Sequence, residues 1–536
     1  MLTLQQLTYL HPNRDVLFTN ISFTIHHHDK VALTGNNGAG KSTLLKIIAG
    51  ELHASEGQLN IDCRFYYVPQ AYGQYNDLTI AQALQIDEKI RALNEILEGK
   101  VTEDNLHTLH DDWTIADRCT EALEYWQLSD LDLTQKMETL SGGQKTRVFL
   151  AGIAIHQAPL VLLDEPSNHL DSIGRTLLYS FIRSTGSTLI VVSHDKKLLN
   201  LLNTTYELGA KGIKVYGGNY DFYIKQKQIE HNALHQDIQS KEKALRKARE
   251  RKKEISERQQ KSDNRGRGKQ EKSGVARIMM NTLRNKAENS TSKLKNVHTE
   301  RIGDLSKNLR ELQAVLPDRD QMIFDFNSSR MHPGKILFTA TDINFAYGSR
   351  LLWEKHLNFH ITGGERIALK GANGSGKTTL IQMITGRLQP VSGTVYRAEH
   401  ESVYMDQDYT LADEEITVYE QAQLYNTDLL EEHEVKTRLH RFLFTIDDWE
   451  KPCRALSGGE RMRLILCCLT MKNRSPDMII LDEPTNNLDI RNTDILISAV
   501  KAYQGTLLVI SHDESFLAQT GITRTMELSC SRKYRD

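Results

Sequence analysis

Apolar residues follow three kinds of pattern along this chain of 536 residues. Short unbroken runs come first: "VALTG" and "IALKG", ending at Gly35 and Gly371, then "PLVLLD" and "DMIILD", ending at Asp164 and Asp482. Runs of this length, closed by glycine or acidic residues, predict buried strands. Each glycine-ended run leads through a short loop into an amphipathic stretch, "KSTLLKIIAG" or "KTTLIQMITG", which predicts a helix. The third pattern lies mid-chain. From Asp221 to about Gln260 there is no proline or glycine, and the spacing predicts a helix roughly 60 Å long. A return leg follows, with Ile302, Leu305, Leu309, Leu312 and Leu316 at coiled-coil spacing. Its facing positions (Ile229, Leu234, Ile238, Leu245) are sparser, so pairing should be best near the base and loosest towards the tip. Gly266, Gly268 and Gly274 lower helix propensity and are expected to form the turn.

The two sets of runs are copies. "VALTGNNGAGKSTLLKIIAGEL" returns as "IALKGANGSGKTTLIQMITGRL", "LSGGQ" as "LSGGE", and "LVLLDEPSNHLD" as "MIILDEPTNNLD". The offset falls from 336 at the glycine loops to 316 at LSGG, so the first copy carries about twenty additional residues between them. The expected organisation is a first α/β repeat at 1–220 with a short arm-like insertion near 87–112, a helical hairpin at 221–335, and a second repeat at 336–536. No apolar run approaches the roughly 20 residues that span a bilayer, and "MLTLQQLTYL" lacks the plan of a secretory signal. The six cysteines form no CxxC pair and no zinc spacing, which suits reduced thiols.

Charge changes the picture. The whole chain stands at −2, yet residues 224–316 hold 24 Lys and Arg against 12 Asp and Glu. A basic middle between two acidic repeats points to a polyanionic partner for the middle alone.

The candidate chemistry repeats as well. Both copies hold GxxxxGK[ST]: Gly35, Asn36, Asn37, Gly38, Ala39, Gly40, Lys41, Ser42 and Thr43, then Gly371, Ala372, Asn373, Gly374, Ser375, Gly376, Lys377, Thr378 and Thr379. Such a loop wraps backbone N–H groups around phosphates at a helix N-terminus. Lys41 and Lys377 would reach the outer phosphates, and Ser42 and Thr378 would ligate Mg²⁺. After the acidic strands, Asp164 and Asp482 would join the magnesium shell, with Glu165 and Glu483 as bases for water. A lone Asp-Glu pair there reads as a solvated turn, and a lone histidine as a packed one. Recurrence in series tips both readings, so that His194 and His512, in "VVSHD" and "VISHD", become γ-phosphate contacts.

These motifs resemble an ATP-binding cassette (ABC) protein with both cassettes in one polypeptide: an α/β fold with two P-loop ATPase cassettes joined by a long helical hairpin. The resemblance implies ATP and Mg²⁺ as ligands, and hydrolysis at two sites formed head to tail. Gln70 and Gln407 match the Q-loop, a further contact to nucleotide and metal. Lys41, Ser42, Gln70, Asp164, Glu165 and His194 would face Ser457, Gly458 and Gly459. The second set, Lys377, Thr378, Gln407, Asp482, Glu483 and His512, would face Ser141, Gly142 and Gly143. Asp171 and Asp489, of "HLD" and "NLD", complete the nucleotide contacts. Tyr347 fits the ring that stacks on adenine, whereas His11 takes that place in the first copy, two residues after Tyr9.

Tandem cassettes, a charged linker, "GGNYDFY" and "SGVARIMMNTLRNKAENSTSKLKN" further resemble the ABC-F class. That resemblance implies a cytoplasmic, single-chain ATPase closed on itself, with no membrane partner. It would bind the ribosome near the exit tRNA site in its ATP-bound form and leave on hydrolysis. Its linker would reach the peptidyl-site tRNA and large-subunit rRNA, modulating translation or protecting ribosomes from antibiotics. Lys261, Arg265, Arg267, Lys269, Lys272 and Arg277 would then meet RNA phosphates. Two alternatives stay open: the ATPase subunit of a transporter, and a DNA-associated ABC ATPase.

Overall fold

The computed structural model describes residues 2–12, 14–209, 212–270, 299–312, 324, 326, 332, 334–348, 350–372, 374–427, 429–472, 474–486 and 488–528. Two compact units result: Met1–Asp221 with Gln321–Asp536, and Phe222–Asp320. Both repeats thus lie in one unit.

In the first repeat six strands form a sheet in the order Phe65–Val68, Leu160–Asp164, Thr188–Val192, Lys30–Thr34, Thr204–Gly209, Gly212–Tyr216. All neighbours are parallel except the last pair. The second repeat has five parallel strands: Ser402–Met405, Met478–Asp482, Thr506–Ile510, Arg366–Lys370, Arg524–Glu527. Central strands are covered on both faces, which is why Leu160–Leu163 and Leu189–Val192 read as continuous apolar runs. Each repeat adds a three-stranded antiparallel sheet, centred on Leu2–Leu10 and on Ile336–Asn344.

The helix after each glycine loop, Lys41–Ile48 or Lys377–Ile384, is locked between these two sheets. In the first repeat Leu44, Leu45 and Ile48 share one core with Leu4, Phe18 and Ile21 of the antiparallel sheet and Leu33 and Ile190 of the parallel one. Each such side chain contributes about 1.5–3 kcal/mol by burial. The packing fixes the helix N-terminus at the carboxyl end of Lys30–Thr34. The strands ending in Asp164 and Val192 are next in order, so three chemistry-bearing ends meet at one crevice.

The twenty-residue surplus folds as two helices, Asp87–Leu97 and Glu103–Leu109. Asp112 anchors their base, bound by Arg118 at 2.7 Å and Lys89 at 3.0 Å.

In the other unit the helix Tyr220–Gln270 runs 51 residues, about 75 Å. The expected turn at Gly266 and Gly268 is therefore corrected: both lie inside the helix. Each glycine costs roughly 1 kcal/mol against alanine, which a helix already nucleated upstream can carry. Gly274 lies outside the described residues. Ile238, Leu245 and Leu309 are buried together, flanked by Leu234, Ile302, Leu305 and Leu312. Ile229 is left 59% exposed, and Leu316 is outside the described residues.

Candidate active site

The glycine loops are built for close approach. Gly40 and Gly376 sit at the helix N-caps in left-handed conformation, φ 92° and 89°. A Cβ on Gly40 would come within 2.7 Å of Leu17, and one on Gly376 within 2.5 Å of Leu352. Neither helix has a side-chain cap, so first-turn N–H groups remain for an anion. The lysines fold over their own loops. Lys41 Nζ donates to the Gly35 and Asn36 carbonyls at 2.9 and 3.1 Å, and Lys377 Nζ to those of Gly371 and Ala372 at 2.7 and 3.1 Å. Burial lowers the pKa of both ammonium groups, opposed by Glu165 for Lys41 and Glu483 for Lys377. Asn373 is outside the described residues.

Beside each loop lies an oxygen-rich pair. Ser42 Oγ donates to Asp164 Oδ1 at 3.0 Å, and Tyr67 reaches the other carboxylate oxygen at 3.5 Å. In the second repeat Tyr404 donates to Asp482 Oδ2 at 2.9 Å, and Thr378 occupies the first helical turn. Hydroxyl and carboxylate oxygens are the donor set Mg²⁺ takes, so these residues fit the ion.

The next residue holds the base. Glu165 and Glu483 both adopt positive φ, 50° and 46°, while their N–H groups bond to Val192 and Ile510 of the adjacent strand. Left-handed backbone at a non-glycine residue costs on the order of 1–3 kcal/mol and turns the side chain out of the sheet. His194 Nε2 lies 3.3 Å from Glu165 Oε1, and His512 Nε2 lies 3.5 Å from Glu483 Oε1. Burial, reinforced by Asp164, pushes Glu165 up to about 8, with Lys41 pulling the other way. Burial raises Glu483 to about 7, opposed first by Arg175. Burial takes His194 and His512 down to about 3 and about 4, so both imidazoles are neutral near pH 7. Glu165 Oε1, His194 Nδ1, Glu483 Oε1 and His512 Nε2 are buried with no hydrogen-bond partner. Orphaned acceptors and ring nitrogens of this kind fit a water and a phosphate oxygen.

The signature serines are helix caps. Ser141 and Ser457 each close a capping box, with Gln144 and Glu460. Ser141, Gly142 and Gly143 of the first repeat then line one cavity of about 270 Å³ with Gly374, Gln407, Glu483 and His512 of the second. Of the set that the resemblance implies for this site, Lys377, Thr378 and Asp482 are not among the residues lining that cavity. The other cavity, about 340 Å³, gathers His11, Asn37, Gly38, Lys41, Ser42, Thr43, Gln70, Glu165 and His194. Among the described residues Ser457, Gly458 and Gly459 do not line it. The second repeat reaches this loop through Asp489, whose Oδ2 accepts from Asn37 N at 3.4 Å while Oδ1 caps its own helix through Asn492 N. Asp171 caps the matching helix of the first repeat, and its charge acts on Lys377.

Tyr347 is 64% exposed, with its hydroxyl 3.1 Å from Thr379 Oγ1. His11 lines the first cavity, its ring edge-on to Tyr9. Sequence reasoning missed Tyr67, Tyr404 and Arg175. The tyrosines carried a signal, since each stands three residues before its Q-loop glutamine. Arg175 carried none, because the second repeat has Thr493 at that place.

The ABC transporter family profile matches residues 18–168 and 355–486. The ATP-binding protein YdiF of Bacillus subtilis (strain 168) is 32% identical over 96% of this chain and 78% of its own. The ATP-binding protein Uup of Escherichia coli (strain K12) is 30% identical over 94% and 76%. Among solved structures, the archaeal ribosome recycling factor aABCE1, in complex with the ribosomal stalk protein aP1, matches at TM-score 0.59 and 21% identity, covering 97% of this chain and 87% of that one. Among the described residues no helix is long and apolar enough to cross a membrane. With its two matched cassettes and ABC-F relatives, the chain belongs to the ABC family as a tandem-cassette ABC-F ATPase that uses ATP with Mg²⁺.

Proposed function

We propose that this ATPase works on the ribosome in the cytoplasm, as a single chain closed on its own two cassettes. Residues 1–220 and 336–536 act as the cassettes, and 221–335 as the part that reaches RNA. Lys41 and Lys377 hold the outer phosphates, Glu165 and Glu483 accept a proton from the attacking water, and His194 and His512 meet the γ-phosphate. Mg²⁺, held by Ser42 and Asp164 or by Thr378 and Asp482 with Gln70 and Gln407 nearby, supplies charge neutralisation on the phosphates. Because signature and base come from different cassettes, nucleotide stabilises the closed form and hydrolysis releases it.

The observation that carries the ribosomal reading is the long helix from Tyr220 to Gln270 within a segment of surplus positive charge. Lys261, Arg265, Arg267 and Lys269 fall within the sequence of that helix. Lys272 and Arg277 lie outside the described residues. A helix of this length and charge suits a phosphate backbone better than a small anion. Two fold relatives, an archaeal ribosome recycling factor and a ribosome-bound archaeal Pelota–ABCE1 complex, give the reading a precedent. The target is the exit tRNA site, with the linker near the peptidyl-site tRNA and large-subunit rRNA, where it modulates translation or displaces antibiotics.

The test is co-sedimentation. Glu165→Gln combined with Glu483→Gln should pellet with ribosomes in ATP and stay in the supernatant in ADP. Failure to pellet in ATP overturns the reading. DNase-sensitive rather than RNase-sensitive capture would favour a DNA-bound ATPase, and recovery in membrane fractions a transporter subunit.

A further inference from the structure

The cavities at the two ATP sites differ in several lining residues, one of them an arginine. Arg175 belongs to the first cassette, on the helix Ser172–Ser184. It nevertheless lines the cavity formed by Ser141, Gly143, Gly374, Glu483 and His512 at the second site. Its side chain is 13% exposed. Among the described residues its one hydrogen bond runs from Nε to the Leu170 carbonyl at 3.3 Å. The carboxylate within ion-pair reach, Asp195, stands 3.9 Å away and is already engaged by Tyr179 and by the N–H groups of Lys197 and Leu198. A guanidinium has five N–H donors, so most of this one is uncommitted in a cavity fitted for polyphosphate.

The repeat gives an internal control. Asp171 matches Asp489, which places Thr493 opposite Arg175. Thr493 is neutral, and its hydroxyl donates to the Asp489 carbonyl of its own helix. Among the described residues, no arginine lines the first-site cavity, although Arg175 also borders a separate cavity that Glu165, Asn168 and His194 line from their other side.

We propose that Arg175 is a phosphate-binding residue of the second ATP site, supplied in trans by the first cassette, and that the first site works without one. In hydrolysis the water oxygen bonds to the γ-phosphorus and the bond from that phosphorus to the β–γ bridging oxygen breaks. The electron pair stays on ADP, and the water's proton passes to Glu483. Arg175 meets the charge carried by the phosphoryl oxygens, a role that favours arginine over lysine because the guanidinium fork matches two oxygens. Its positive charge already acts on both Glu483 and His512 across the cassette boundary. The proposal concerns ATP chemistry alone and stands or falls independently of ribosome binding.

Single-turnover phosphate release from protein loaded with ATP and Mg²⁺ tests it. The wild type should show two phases, assigned by Glu165→Gln and Glu483→Gln, each of which removes one. Arg175→Gln should slow the second-site phase by about tenfold or more, change the first-site phase less than about twofold, and alter ATP affinity less than about threefold. Arg175→Lys should restore part of the lost rate. Equal slowing of both phases overturns the proposal, as does no slowing of either. A chain in which each Gln variant removes both phases also overturns it, since the sites then do not turn over separately. If Arg175→Gln does not fold, Arg175→Lys is read by the same two phases.

Discussion

Asp164 and Asp482 each face a hydroxyl from the neighbouring strand, but not at the same distance. Tyr404 donates to Asp482 at 2.9 Å, whereas Tyr67 stands 3.5 Å from Asp164. A group that orients a metal-binding carboxylate is worth about 10–100-fold in metal affinity. Tyr404→Phe should therefore raise the Mg²⁺ concentration needed for half-maximal ATPase activity by about tenfold, and Tyr67→Phe by less. A Mg²⁺ titration of the two variants checks this, and equal shifts would contradict it. At this scale the glycine loops, lysines, acidic pairs and histidines were legible because they recur in order. The tyrosines recur as well, but their role needed sheet register, which brings Tyr67 beside Leu162 and Tyr404 beside Ile480, next to the acidic ends. Arg175 was invisible for the opposite reason: comparing repeats finds what they share.

Elements show where local propensity succeeds and where it misleads. The unbroken apolar runs became buried parallel strands, since covering on both faces removes polar alternation. The linker glycines, weighed one at a time, suggested a turn, yet the helix runs through Gly266 and Gly268 to Gln270. The surplus, placed near 87–112 from the sequence without a secondary structure, is two helices pinned at Asp112. The hydrogen bond from Arg118, joined by that from Lys89, holds the Asp112 carboxyl below its usual range. Its stabilising contribution is therefore present above about pH 4 and is lost as the pH falls through the lowered folded value. Asp112→Asn should cost about 1 kcal/mol at pH 7, measured by denaturant unfolding. The difference from wild type should vanish once the pH falls below the lowered folded value, where the wild-type group is itself protonated.

At the scale of the molecule, the cassettes touch through side chains as well as through their nucleotide sites. Lys196 meets Asp494 at 3.4 Å, and Lys197 meets Glu514. Asp489 caps its own helix with one oxygen and serves the opposite loop with the other. On the proposed ribosomal reading, the basic segment would add a charge-driven contact outside the chemistry. Neutralising Lys261, Arg265, Arg267, Lys269, Lys272 and Arg277 together should weaken ribosome binding and flatten its dependence on salt by up to about six ion equivalents. ATPase activity of the free protein should be retained. Binding assays across a salt series measure both, and an unchanged slope would make the segment a spacer. The paired glutamates carry a different lesson, about inheritance. Left-handed backbone at Glu165 and Glu483 disfavours β-branched replacements, whereas unbranched ones can keep the turn and lose the base. Gln and Asn are among these open doors. A descendant of this chain could let one copy fall silent through any of them while the other kept cycling, and its architecture would keep no record of the loss.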